Sequence, residues 1–116
     1  MTKHAIYVEL KAKSGKEEEV ATFLKSAQAP VEQEPGTVTW FAVRYDLSTF
    51  AIFDAFDDEA GRQAHLNGKV AAALMARATE LLAEAPQLKT PEVLADKLPG
   101  VKPVWPSDQN RFGLSV

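Results

Sequence analysis

His65 is the side chain best suited to proton chemistry. An imidazole changes charge near neutral pH and can move a proton or hold a phenolate or quinol oxygen. Asp54 falls between Ile52 and Phe56 on one face of an apolar strand pattern. A carboxylate buried there needs a partner, either His65 or an arginine. Glu9, Asp54 and His65 could meet as a carboxylate–histidine–carboxylate set, because neighbouring strands and a covering helix lie side by side. His65 equally fits a structural role at a helix interruption, bonded to a carboxylate or the backbone. His4, at the frayed start of the first strand, reads as surface. Two histidines this far apart make no ligand-spaced pair, so no metal site is expected.

Aromatic side chains form the second group. Trp40, Phe41, Phe53, Tyr7 and Tyr45 could line a cavity for a flat substrate, or serve as core and contact residues. The residues assigned to substrate binding are Tyr7, Trp40, Phe53, Phe56 and Leu74. Arg44 could hold an anionic group or form an exposed salt bridge. Trp105 could plug a pocket or anchor a tail. Gly15 and Gly36 are isolated turn glycines, so no phosphate-binding loop is present, and the chain has neither a serine elbow nor a thiol.

The elements that must position these groups follow from pattern. Ile6, Val8 and Leu10 alternate with Tyr7, Glu9 and Lys11, which predicts a first strand. Ser14 can cap a helix opened by Lys16 to Glu19, striped with Val20, Phe23, Leu24 and Ala27, and ending near Ala29 before Pro30. Glu34-Pro35-Gly36 turns the chain into a hairpin of Thr37–Tyr45 and Thr49–Phe56. Asp57-Asp58-Glu59 starts a second helix, interrupted at Asn67-Gly68 and resumed from Lys69 to about Ala85, where Pro86 stops it. Glu92 to Leu98 is the candidate fourth strand.

This order is βαββαβ, an α+β ferredoxin-like domain with an antiparallel sheet over residues 1–98 and a tail over 99–116. Two helices cover one sheet face. The other should carry Tyr7, Trp40 or Phe41, and Ala51 or Phe53, according to the pleat. A second subunit is the economical cover for it. The tail, with Val101, Val104, Trp105, Phe112, Leu114 and Val116, is expected to pack on the partner subunit or over the pocket.

Bulk composition narrows the partners. A chain of 116 residues with 46% hydrophobic and 25% charged content fits one globular domain with a real core. Its net charge of −3, with scattered Lys and Arg, gives no reason to expect nucleic acid. Absence of cysteine excludes disulfides and thiolate chemistry. The charged residues Glu9 and Lys11 break the opening apolar run, which argues for a strand over a leader. No stretch approaches the roughly 20 apolar residues of a membrane span. A cytoplasmic address is the expectation.

Glu34-Pro35-Gly36-Thr37, the two aromatic strands, Phe56-Asp57-Asp58-Glu59-Ala60 and His65 together resemble the antibiotic biosynthesis monooxygenase family, over about residues 4 to 98. The resemblance implies the dimeric α+β barrel and a cofactor-independent, quinol-type monooxygenase acting on a small aromatic or polyketide-like substrate. It places the family's acidic-Ala-His element on Glu59, Ala60 and His65, and its strand carboxylate on Asp54. Phe56 stands where several relatives have Trp. His65 would be base or anion stabiliser, oriented by Asp54. The haem-degrading branch matches poorly, with Val8 near its strand Asn and Met75 or a neighbour near its helix His, so no haem is expected. The alternative reading is a non-catalytic dimeric binding or structural protein of the same fold.

Overall fold

The computed structural model describes residues 1–99. Its strands are β1 (His4–Lys11), β2 (Thr37–Arg44), β3 (Thr49–Phe56) and β4 (Gln87–Lys89); its helices are α1 (Glu17–Ser26), α2 (Gln28–Glu32), α3 (Glu59–Leu66) and α4 (Lys69–Leu81). The sheet order is β2-β3-β1-β4 and every neighbouring pair is antiparallel. This is the ferredoxin-like α+β topology that the alternation of elements implies.

The pleat sorts the strand residues. Ile6 lies opposite Asp54, Val8 opposite Ile52 and Leu10 opposite Phe50, and all six are buried on the helix-covered face. Val20 and Leu24 of α1, with Ala78 and Leu81 of α4, close over them as one core. Trp40, opposite Asp54 on β2, bridges this core to a smaller cluster of Ala27, Val31 and Val70. The other face carries Tyr7, Phe41 and Phe53 in one cross-strand row, flanked by Glu9, Val43 and Ala51. Phe41 is 57% exposed and Phe53 39%, large values for aromatic residues on a sheet face.

Local boundaries differ from the sequence expectation in four places. Ser14 does not cap α1; Lys16 occupies the cap position without a side-chain bond, and Gly15 N–H donates to Glu17 Oε1 at 2.9 Å instead. Pro30 does not end the helical region but sits inside α2, in a first turn where its missing N–H leaves no intrahelical bond unmade. α4 stops at Leu81, short of Ala85, because the next residues bond to the sheet. Lys13 N–H donates to the Leu81 carbonyl and Ala83 N–H to the Lys11 carbonyl, both at 2.8 Å. The fourth strand is Gln87–Lys89, upstream of Glu92–Leu98, which forms no strand and contributes an isolated bridge between Glu92 and His4 and a Val93 N–H bond to the Lys3 carbonyl. Pro91 has no N–H to give a ladder, and three residues are too few to display alternation.

No helix among the described residues is long and apolar enough to cross a membrane. The expected packing of the tail falls, from residue 100 onward, outside the described residues.

Candidate active site: a buried histidine between two carboxylates

His65 lies in the last turn of α3, and three local features fix its place. Asp58 caps the helix, its Oδ1 accepting from Gly61 N–H at 2.8 Å, so α3 starts where the acidic run predicts. Gly36 and Gly61 then meet backbone to backbone: a Cβ on Gly36 would lie 2.9 Å from Gly61 Cα, and one on Gly61 would lie 2.9 Å from the Gly36 carbonyl oxygen. Only glycine permits this approach. It presses the Glu34-Pro35-Gly36 turn against α3. Gly68 follows the helix, where a Cβ would lie 3.2 Å from the Ala64 and His65 carbonyl oxygens.

The result is an imidazole with a carboxylate at each nitrogen. Nδ1 lies 2.6 Å from Glu34 Oε1, which also accepts from Thr37 Oγ1 at 2.7 Å. Nε2 lies 2.9 Å from Asp54 Oδ2. That second approach is an ion contact whose angle falls short of an aligned hydrogen bond, so both Asp54 oxygens lack an aligned donor among the described residues. The His65 side chain is 8% exposed, Asp54 0% and Glu34 21%, so Glu34 is the side of the site nearest solvent. Phe56 packs beside the imidazole with ring centroids 5.6 Å apart.

Charge follows from this geometry. Burial alone would lower the His65 pKa, but the close contacts with the Asp54 and Glu34 carboxylates and their negative charge outweigh it and push it up to about 9. His65 is therefore an imidazolium at neutral pH. Burial raises the Asp54 carboxyl, His65 opposes that rise, and the Glu34 charge adds to it. The ring nitrogens face the carboxylate oxygens directly, and among the described residues no cluster of three or more His, Cys, Asp or Glu has the arrangement to hold a metal ion.

The expected site residues do not all converge. Asp54 and His65 come together. Glu9 does not join them: it projects from the opposite face of the sheet, where its Oε2 is 3.5 Å from Tyr7 Oη. Glu34 takes the place expected of Glu9. The only sign of this in the sequence was a glutamate immediately before a Pro-Gly turn, which reads first as turn chemistry. Trp40, Phe56 and Leu74 lie on the helix-covered side with the buried pair, whereas Tyr7 and Phe53 lie on the open face. Arg44 binds Glu18 at 2.7 Å and the Leu47 carbonyl at 2.9 Å, and stacks over Phe50.

A groove of about 640 Å³ runs along β2 beneath α1 and α2, walled by Leu24, Val31, Trp40, Ala42 and Phe50. Trp40 belongs to it, and the indole N–H of Trp40 is buried without a partner among the described residues. His65 and Asp54 do not line the groove; Asp54 is the cross-strand neighbour of Trp40.

No family model matches the chain, and no curated protein matches it. Solved structures do. The chain has the fold of a putative antibiotic biosynthesis monooxygenase from Nitrosomonas europaea, with a TM-score of 0.72 and 16% identity over 79% of this chain and 99% of that one. A second, from Caulobacter crescentus, aligns with a TM-score of 0.71 and 16% identity over 81% and 92%. A Nitrosomonas europaea protein of unknown function, NE2512, is 54% identical over 87% of this chain and 98% of its own, with a TM-score of 0.85. The chain belongs to the family of NE2512, within the antibiotic biosynthesis monooxygenase fold.

Proposed function

We propose that two copies of this chain pair through their open sheet faces, and that the pair oxidises a small aromatic or polyketide-like substrate with O₂, using neither metal nor flavin. The observation that carries this reading is the imidazolium held between Asp54 and Glu34. A phenol or anthrone-like substrate becomes reducing enough for O₂ when it is deprotonated, and a fixed, desolvated cation stabilises that anion. His65 supplies the charge. With a pKa near 9 it is an anion stabiliser, not a base, because a base needs a free ring nitrogen at working pH. Asp54 positions it, and Glu34, the more exposed carboxylate, is the group that an incoming anion displaces. For a CH₂ substrate the balance closes without a cofactor: one oxygen atom becomes the carbonyl and the other leaves as water with both hydrogens.

One observation favours the second reading, a non-catalytic dimeric binding or structural protein. Both His65 nitrogens already have partners within the chain, and the groove does not reach them. Oxygen uptake with hydroquinones and anthrone-like phenols separates the two. Uptake by the native protein that is lost in His65→Ala supports the oxygenase. Uptake that survives His65→Ala removes His65 from the chemistry. Quenching of tryptophan fluorescence by the same phenols, without any uptake, assigns a binding protein.

A further inference from the structure

The Glu34-Pro35-Gly36-Thr37 turn places a carboxylate and a hydroxyl three positions apart, and the two close on each other. Thr37 opens β2, lies opposite Phe56 of β3, and sends its backbone N–H to the Glu34 carbonyl at 3.3 Å. Its β-branched side chain has a stiff χ1, and its single hydroxyl proton goes to Glu34 Oε1 at 2.7 Å. The same oxygen faces His65 Nδ1 at 2.6 Å, where the imidazolium donates. Glu34 Oε2, by contrast, has no hydrogen-bond partner among the described residues and is not fully buried. One carboxylate oxygen takes both donors and the other meets water.

Two fixed donors converging on one oxygen have the geometry of an oxyanion site. Neither donor depends on Glu34 for its place. The hydroxyl is held by the start of a strand, and the imidazole by α3 and by Asp54 at its other nitrogen. Glu34 is the adaptable member, a long side chain whose rotamer freedom favours release. When its carboxylate swings out, a hydroxyl and an imidazolium N–H lose their acceptor, a cost that an incoming anion removes by taking both bonds. We infer that Thr37 Oγ1 and His65 Nδ1 are the two donors of one oxyanion site, which the Glu34 carboxylate fills in the resting protein and yields to the substrate anion. The inference rests on the reading of His65 as an anion stabiliser and adds Thr37 as a residue that touches substrate.

Acetate tests it, because Glu34→Ala removes Cγ, Cδ, Oε1 and Oε2, which are the heavy atoms of acetate. In that variant Asp54 of β3 is the one carboxylate left against the imidazole, so the His65 pKa read by NMR titration should fall below its native value of about 9. Acetate should bind saturably and raise it again. Adding Thr37→Val, which keeps the shape and loses the hydroxyl, should weaken acetate by about ten-fold or more, whereas adding Thr37→Ser should retain it. Acetate that binds equally well with Thr37→Val removes Thr37 from the site and overturns the inference. A folded Glu34→Ala that acetate does not saturate overturns it too. Should Glu34→Ala fold poorly, Glu34→Gln serves instead, since an anion displaces its neutral amide readily. The ligand is then para-nitrophenolate, followed by its visible absorbance, against the same two Thr37 variants and with the same outcomes. Oxygen uptake separates the premises. Acetate held through Thr37, with no uptake on any phenol, keeps the oxyanion site and rejects the oxygenase. Uptake that His65→Ala abolishes, without acetate binding, keeps the oxygenase and rejects the site.

Discussion

At the residue scale, the His65 environment couples charge to stability. His65 has a folded pKa of about 9 against an ordinary 6.5. Its contribution is full below about pH 6.5 and is lost as pH rises toward 9, because the folded state then releases a proton that it binds more tightly than the unfolded chain does. Asp54 acts in the same sense at lower pH, since burial raises its pKa and ionisation costs the folded state. Thermal melts should therefore show Tm falling between pH 6.5 and 9, and His65→Gln should flatten that slope. A flat wild-type profile across this window would contradict a charged His65. Removing the imidazole also leaves the fully buried Asp54 without its counter-charge. His65→Leu should cost roughly 3–5 kcal/mol by chemical denaturation at pH 7, and His65→Leu with Asp54→Leu should recover much of it.

At the scale of elements, the site depends on two glycines as much as on its titratable groups. The Glu34 turn reaches α3 because Gly36 and Gly61 leave no Cβ between the two backbones. Gly61→Ala must part them by several tenths of an ångström, at a cost of about 1–3 kcal/mol. It should also draw Glu34 away from Nδ1, so the His65 pKa read by NMR titration should fall from near 9. An alanine variant that keeps both stability and titration would show that the contact tolerates a methyl. α3 and α4 are two helices instead of one for a related reason: Gly68 lets the chain turn where a Cβ would lie 3.2 Å from two α3 carbonyl oxygens.

At the scale of the whole molecule, the open face is the surface that the proposed pairing uses. Tyr7, Phe41 and Phe53 form a row across three strands, and Tyr7 Oη lies 3.4 Å from Tyr45 Oη, a contact that helps hold the Tyr7 phenol un-ionised up to about 12. Phe53→Asp places a charge in the centre of this row. Sedimentation should show the wild type as a dimer and Phe53→Asp as a monomer with unchanged far-ultraviolet circular dichroism. A monomeric wild type would remove the proposed pairing. Phe41→Asp should act alike, as it is the cross-strand neighbour of Phe53.

Much of this was legible in the residues alone. The alternation of Ile6, Val8 and Leu10, the Asp46-Leu47-Ser48 hairpin connection and the acidic helix start at Asp57 to Glu59 each carry their own local cause. The order of elements follows from them, as does the need to partner Asp54. Boundaries set by competition between elements were not legible. α4 ends where the backbone after Leu81 finds bonds on β1, and β4 forms at Gln87–Lys89, which has no pattern of its own. The sequence by itself determined the order of elements and the core side of β1, and it called for a partner to Asp54 without choosing between His65 and an arginine, because period and turn chemistry act over a few neighbours. Only the tertiary structure decided that Glu34, not Glu9, completes the histidine site and that Tyr7 and Phe53 stand on the other side of the sheet. Pleat and register assign faces, and a glycine-to-glycine contact across 25 positions of chain (61 − 36) leaves no periodic trace.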